Sequence, residues 1–333
     1  MTDDTDTHAD TDTGIDTDGG TDTGEPTGTD VVPGSGVRHF LDVDDLSRDE
    51  LHDVLTRATE LKERQQRGKL HRLLEGDSLG MIFEKPSTRT RVSFETGMTQ
   101  LGGHAVFLGP DDIHLGHGEP VKDTARALSR YVDLAMARTF DHSDVEELAE
   151  YATVPVINGL TDDAHPCQTL ADLLTIRERF ENFDVSVAWV GDGNNVCQSF
   201  VLGAAMTDID LTVATPGGYG VADEVLDRAA ELGGTPETTH DPEAAVDGSD
   251  IVYTDVWISM GQEEKRATKL EDFDGFQITP ELLGDRHLMH CLPAHRGEEV
   301  TDAALESENA VVWDQAGNRL HAQKGLMTFL SGV

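Results

Sequence analysis

Basic residues are what this sequence has least of. Its 64 acidic residues face only 25 lysines and arginines, so the formal net charge is −39 over 333 residues. Lysine occurs only at 62, 69, 85, 122, 265, 269 and 324. Such a surface repels phosphate backbones and anionic lipid, which excludes nucleic-acid and membrane partners. Long apolar runs are also missing, so nothing in the sequence reads as a bilayer span. The N-terminus is acidic and lacks the basic start and apolar stretch of a secretory signal. A cytoplasmic protein is expected. Cysteine is sparse and odd in number: Cys167, Cys197 and Cys291 form no C-x-x-C pair, which argues against a disulfide framework. His290, Cys291 and His295 lie close in sequence but fit no usual zinc spacing, so no metal site is expected.

The acid-rich, lysine-poor composition resembles proteins from a salt-loaded cytoplasm, a halophilic type. At about 1 M salt the Debye length shrinks to roughly 3 Å and most self-repulsion disappears. Loss of structure or activity at low salt is therefore expected. The chain is long enough for two domains of ordinary size. Residues 1–36 are low in complexity, Thr and Asp alternating with Gly, with no Lys or Arg before Arg38. They cannot bury enough apolar surface to offset their ordering entropy and read as a disordered acidic tail.

From Val37 onward the pattern is α/β. Ser47 to Arg67 carries Leu51, Val54, Leu55, Ala58 and Leu61 at helical spacing, with Ser47 and Glu50 as a capping box. Ser78 to Phe83, His104 to Leu108 and Leu134 to Arg138 read as strands, with helices at Thr88 to Leu101 and Asp123 to Tyr131 between them. A second series follows. Val185 to Val190, Leu211 to Ala214, Ile251 to Thr254 and His287 to His290 read as strands, with helices at Asn194 to Ala205 and Val221 to Leu232. This alternation implies two domains, each a parallel sheet flanked by helices. The expected division is 37–168, then 169–320 with a linking helix at 169–180. A last helix within 321–333, from about Ala322 to Leu330, returns to the first domain.

Six segments carry chemistry. Ser87-Thr88-Arg89-Thr90-Arg91 stands between a strand and a helix. Unpaired amides, hydroxyls and a guanidinium fork there suit a phosphate. Met136-Ala137-Arg138-Thr139 puts an arginine at a strand's carboxyl end, where open α/β sheets bind ligands. In His165-Pro166-Cys167-Gln168 the proline holds His165 out of helix. The imidazole can donate to a carbonyl, and the Gln168 amide can pair with a carboxamide. Gly191-Asp192-Gly193-Asn194-Asn195 follows a strand as in a dinucleotide site. However, Val196 takes the third glycine's place, and Ala214-Thr215-Pro216 lacks the expected acid, which disfavours a nicotinamide oxidoreductase. Asp255-Val256-Trp257-Ile258-Ser259-Met260-Gly261 offers a carboxylate to an ammonium group. His290-Cys291-Leu292-Pro293 closes the series. Its cysteine reads equally as a nucleophile or a polar contact.

Together and in this order, these segments resemble the aspartate/ornithine carbamoyltransferase superfamily. The likeness covers 37–333. Ser-Thr-Arg-Thr-Arg and His-Pro-Cys-Gln mark the superfamily, while Asp-Val-Trp-Ile-Ser-Met-Gly and His-Cys-Leu-Pro mark the ornithine branch. The resemblance implies that Ser87, Thr88, Arg89, Thr90 and Arg138 hold the phosphate of carbamoyl phosphate. It puts His165 and Arg89 on the carbonyl oxygen, Gln168 and the Leu292 carbonyl on the amide hydrogens, and Arg319 on the same ligand. Asn195, Asp255, Ser259 and Met260 would hold L-ornithine, with Cys291 and Asp255 near its reacting amine. Catalytic roles fall to Arg89, His165, Asp255 and Cys291, with no cofactor. The resemblance also implies homotrimers with shared active sites. One position departs from the family: His114 stands where a glutamine usually reaches the neighbouring subunit's phosphate. A histidine donates best when protonated, so carbamoyl phosphate affinity should fall more steeply above neutral pH.

Two rivals stay open at this point. One is a carbamoyltransferase for putrescine or another amine, against which the Ser259-Met260-Gly261 segment speaks. The other is a non-catalytic binding subunit, which would be expected to show decay in these motifs. The Gly- and Met-containing loop around Ser259 to Lys269 reads as a flap over the second substrate.

Overall fold

The computed structural model describes residues 36–111, 118–259, 261 and 263–333. The expected tail, apart from Gly36, lies outside them.

Sheet one has four parallel strands: β1 (Ser78–Phe83), β2 (His104–Leu108), β3 (Leu134–Arg138) and β4 (Val156–Leu160), in the order β2-β1-β3-β4. Sheet two has five: β5 (Ser186–Val190), β6 (Asp210–Ala214), β7 (Glu237–Thr239), β8 (Ile251–Thr254) and β9 (His287–His290), in the order β7-β6-β5-β8-β9. All are parallel, so each connection is a crossover that leaves helices on the sheet faces. The helices are α1 (Arg48–Gln66), α2 (Thr88–Gln100), α3 (Val121–Leu128), α4 (His142–Tyr151), α5 (Pro166–Phe180), α6 (Asn195–Ala205) and α7 (Asp223–Leu232). After them come α8 (Pro242–Val246), α9 (Arg266–Asp272), α10 (Pro280–Leu283), α11 (Asp302–Leu305) and α12 (Val312–Leu330). Among the described residues no helix is long and apolar enough to cross a membrane.

The two-residue period of the strands sorts side chains between cores. Leu79, Met81, Phe83, Trp189 and Tyr253 enter one central core with α1, α5, α6 and α12. Ile82, Ala135 and Ala137 face a second core under α3 and α4. Ala188, Val190 and Val252 face a third on the far side of sheet two. The Ser47–Glu50 capping box opens α1, and its stripe Leu51, Val54, Leu55, Ala58 and Leu61 is buried as expected.

Helix α12 begins ten residues earlier than the expected Ala322. It packs against α1, α2 and α5. Its approach to α1 is so close that a Cβ on Gly325 would stand 2.5 Å from the Val54 carbonyl oxygen.

Strand order also places the ligand site. In each sheet the chain steps outward in opposite directions from two adjacent strands, β1 and β3 in one, β5 and β8 in the other. Ligands bind outside the carboxyl ends at such switch points. The segments after β1, β3, β5 and β8 are four of the six singled out from sequence.

Candidate active site

After β1, Lys85-Pro86 breaks the strand and Ser87 turns extended (φ −156°, ψ 113°) as the N-cap of α2. Its Oγ accepts from the Thr90 amide at 3.2 Å and its hydroxyl donates to Thr90 Oγ1 at 3.1 Å. Arg138 ends β3, where the register with β4 slips by one residue between Ala137 and Arg138. Arg319 arrives from α12. Its Nη1 donates to Gln168 Oε1 at 2.7 Å and its Nη2 to Thr90 Oγ1 at 3.2 Å. Arg138 and Arg319 are 5% and 4% exposed, and the Nε–H of each is buried with no acceptor among the described residues. Burial, then Arg319 and Arg89, push the Arg138 pKa down to about 9. Three guanidinium groups thus repel one another here, none of them in an ion pair among the described residues, and an anion would relieve that repulsion.

His165 is the residue before α5, with Pro166 in the first helical position. Its amide donates to Ser199 Oγ at 2.9 Å. Burial, then Arg319, Arg138 and Arg89, holds its pKa well below the usual histidine value, so the ring is neutral. Arg319 Nη1 lies 3.4 Å from Nε2. Arginine only donates, so Nε2 accepts and the proton sits on Nδ1, which has no partner among the described residues.

The facing wall comes from sheet two. Asn194 caps α6 through its Oδ1, 3.0 Å from the Val196 amide and 3.1 Å from that of Cys197. Its Nδ2 donates to Asp255 Oδ2 at 2.8 Å. The neighbouring Asn195 sends its Nδ2 to the Thr161 carbonyl at 2.6 Å, tying this wall to the first. Asp255 directly follows β8 and is 4% exposed, and its Oδ1 accepts from Cys291 Sγ at 2.9 Å. Burial and the Asp255 charge raise the Cys291 pKa well above the usual thiol value. Burial and the bond to Asp255 favour the thiol as a donor, which supports the polar-contact reading of Cys291.

These elements line one cleft of about 1190 Å³. Ser87, Thr88, Arg89, Thr90, Arg138, His165, Asn195, Asp255, Ser259, Cys291, Leu292 and Arg319 all face it. Residues far apart in the chain thus form a cationic, hydroxyl-rich wall opposite a carboxylate–thiol wall. The glycines of Gly191-Asp192-Gly193 do not cradle a pyrophosphate. A Cβ on Gly193 would fall 2.5 Å from the Gly220 carbonyl carbon, so protein backbone fills that approach.

Sequence models of two linked domains match the chain: the carbamoyl-P binding domain of aspartate/ornithine carbamoyltransferase over 38–178, and its Asp/Orn binding domain over 183–330. The chain belongs to the aspartate/ornithine carbamoyltransferase family. It is 63% identical over 295 residues to an ornithine carbamoyltransferase of Haloquadratum walsbyi, covering 88% of this chain and 97% of that one. Among solved structures it matches an ornithine carbamoyltransferase from Pyrococcus furiosus with a TM-score of 0.85 and 52% identity, over 89% of this chain and 97% of that one. An anabolic ornithine carbamoyltransferase from Campylobacter jejuni matches with a TM-score of 0.84 and 39% identity, over 89% and 99%.

Within this carbamoyltransferase fold, Gln168 sits behind the cleft wall rather than on it. Its Oε1 accepts from Arg319 and its Nε2 donates to Asp172 Oδ1 at 2.7 Å. Asp172 is wholly buried and also accepts from Gln315 Nε2 (2.7 Å) and the Tyr253 hydroxyl (2.8 Å). Burial raises its pKa to about 7 against the pull of these donors. Sequence reasoning missed Asp172, Tyr253 and Gln315. It also missed Lys85, which pairs with Asp162 and lies 4.3 Å from the Phe140 ring centroid. Lys269 was expected in a flap. Instead it is 4% exposed on α9 and donates to Asp192 (2.5 Å) and the Trp257 carbonyl (2.7 Å). The segment is helical from Glu263 onward, first as a 3-10 turn and then as α9, so the expected flap is shorter. His114 and Met260 lie outside the described residues.

Among the described residues, two side-chain groups have metal-like proximity, Asp255/His290/Cys291 and His295/Glu298/Glu299. In the first, both ring nitrogens of His290 are taken, by the Leu292 amide and by Glu299. In the second, Arg266 pairs with Glu298, and Glu299 accepts from the His295 amide.

Proposed function

We propose that the chain transfers a carbamoyl group from carbamoyl phosphate to the side-chain amine of L-ornithine, giving L-citrulline and phosphate. The observation that carries this is the meeting of Arg89, Arg138, His165 and Arg319 with the Ser87, Thr88 and Thr90 hydroxyls along one cleft that Asp255 also lines. The relatives are ornithine carbamoyltransferases, which supports ornithine over putrescine.

In this reading 37–168 binds carbamoyl phosphate and 169–320 binds ornithine, and α12 closes the chain onto the first of these. Ser87, Thr88, Arg89, Thr90 and Arg138 hold the phosphate. Arg89, Thr90 and His165 serve the carbonyl oxygen and the Leu292 carbonyl the amide, while Gln168, expected on the amide as well, holds Arg319 from behind the wall. Asn195, Asp255, Ser259 and Met260 take ornithine's α-end. His114 donates to phosphate in a neighbouring subunit of a homotrimer. The chemistry requires no metal or organic cofactor. The acid-rich composition suits a salt-loaded cytoplasm.

The nucleophile must be a neutral amine. With a pKa of about 10.4, roughly one amine in 2,500 is neutral at pH 7. The guanidinium cluster disfavours a further cation and so favours that form. The nitrogen attacks the carbamoyl carbon, and charge grows on its oxygen. Donors already fixed there stabilise it without reorganising. A C–N bond forms, the C–O bond to phosphate breaks, and the departing phosphate accepts the amine proton. Cys291 enters no covalent step.

Citrulline formation, measured with ornithine and with putrescine across a KCl series, tests the reading. Ornithine-dependent turnover is expected. Preference for putrescine, or no turnover at any salt concentration, would overturn it.

A further inference from the structure

One buried acid has no part in this mechanism. Glu299 and His290 are both 0% exposed, and the acid lies 3.1 Å from the ring through Oε1 and Nε2. The other ring nitrogen, Nδ1, is 2.9 Å from the Leu292 amide nitrogen. A backbone N–H can only donate, so Nδ1 accepts and carries no proton. The ring proton is then on Nε2 and is donated to Glu299. The same carboxylate oxygen accepts from the His295 amide at 2.5 Å. Glu299 therefore grips the 290–295 segment twice, once through the imidazole and once directly. The His290 amide is held in turn by Gln315 Oε1 at 2.9 Å. Between these holds, Leu292 stands at φ +60°. That left-handed backbone is uncommon for a leucine and persists only where its surroundings impose it.

We propose that Glu299 is a positioning residue: by fixing the His290 tautomer it holds the Leu292 peptide so that its carbonyl accepts the carbamoyl NH₂. The inference rests on the assignment of Leu292 in the proposed function. A carboxylate acceptor secures Nε2–H, whereas a neutral acceptor allows the proton to move to Nδ1, where it would repel the Leu292 N–H.

Two stable phosphonates separate this role from general damage. Carbamoylmethylphosphonate has the NH₂ hydrogens, and acetonylphosphonate has a methyl group in their place. Both are titrated calorimetrically into the full-length protein in concentrated KCl. Glu299→Gln should weaken the amide probe about tenfold, the equivalent of one hydrogen bond. It should leave the ketone probe within about twofold, a change too small for a lost hydrogen bond. The KM for carbamoyl phosphate should rise more than kcat falls. Should Glu299→Gln fail to fold, the His290 variants decide. His290→Asn places an oxygen near the Nδ1 position and should keep more preference for the amide probe than His290→Gln, which reaches only toward Nε2. Equal weakening of both probes, no change in either, or the reverse order of the His290 variants would overturn the relay. A wild-type protein that binds neither probe and forms no citrulline would overturn the site reading itself, and the relay with it.

Discussion

At the scale of single residues, the site depends on protonation states that burial imposes. His165 is kept neutral by its surroundings and Cys291 is kept as a thiol. The Cys291 Sγ donates to Asp255 at 2.9 Å, and a serine hydroxyl could make the same bond at a slightly shorter reach. Cys291→Ser should therefore keep citrulline formation within about tenfold of wild type, as expected for exchanging one neutral donor for another. Covalent catalysis through sulfur would instead require near-complete loss. Steady-state rates with saturating carbamoyl phosphate discriminate the two. Most cleft residues were legible because they lie in short segments at or just past strand ends or at a helix start, whereas Arg319, inside α12, was reached only through the family resemblance. Asp172, Gln315 and Glu299 were not. They lie inside helices or a loop with no local signature, and matter only because folding brings them to Gln168, Tyr253 and His290.

At the scale of elements, α12 shows where sequence reading loses its grip. Gln315, Asn318, Arg319, Gln323 and Lys324 are all buried, so the helix has no apolar stripe to announce its first ten residues. Strand β4 and helix α4 were likewise passed over. Asn158-Gly159 has the composition of a turn, yet it lies within β4. Gly159 leaves room for Met136, since a Cβ there would fall 2.5 Å from its sulfur, and Asn158 Nδ2 reaches the Leu41 carbonyl. Lys324 yields a prediction at this scale. Its Nζ is enclosed by Gln65 Oε1 (2.9 Å), Gln100 Oε1 (2.8 Å) and His71 Nε2 (3.2 Å), neutral groups from α1, α2 and the turn after α1. His321 on α12 also feels its charge. Burial lowers the Lys324 pKa from 10.5 to about 8. Between those values the unfolded chain binds the proton more tightly than the folded one, so stability rises with pH across that window. Below pH 8 both states are protonated and the cost of the buried charge is constant. Lys324→Met removes it. The stability difference between Lys324→Met and wild type, from urea denaturation, should move in favour of wild type from pH 8 to 10. A difference independent of pH would show that this lysine carries no such cost.

For the molecule as a whole, the decisive contrast is a cationic cleft inside a strongly anionic shell. Arg89, Arg138 and Arg319 face the cleft, while other arginines are spent in surface pairs such as Arg57–Asp53 and Arg67–Glu63. Among the described residues only Asp42, Asp172, Asp192, Asp255 and Glu299 are buried acids, so the described excess of acid lies mostly on the outside. Two salt effects follow, and they differ in sign between the substrates. A dianionic acyl donor must cross a repulsive outer field before it meets the guanidinium groups. Added salt shortens that field from roughly 30 Å at 0.01 M to about 3 Å at 1 M. Short-range pairing inside a partly dry cleft is screened much less. The KM for carbamoyl phosphate should accordingly fall as KCl is raised over this range. Ornithine carries one net positive charge and is drawn in by the same field, so its KM should rise or stay level. Folding should follow the donor's direction, with the thermal midpoint climbing as self-repulsion is screened. The measurement is a two-substrate kinetic matrix at several KCl concentrations, with thermal melts in the same buffers. Parallel changes in both KM values would mean that salt acts only through the folded fraction. Melting unaffected by salt would mean that the acidic shell places no demand on the solvent.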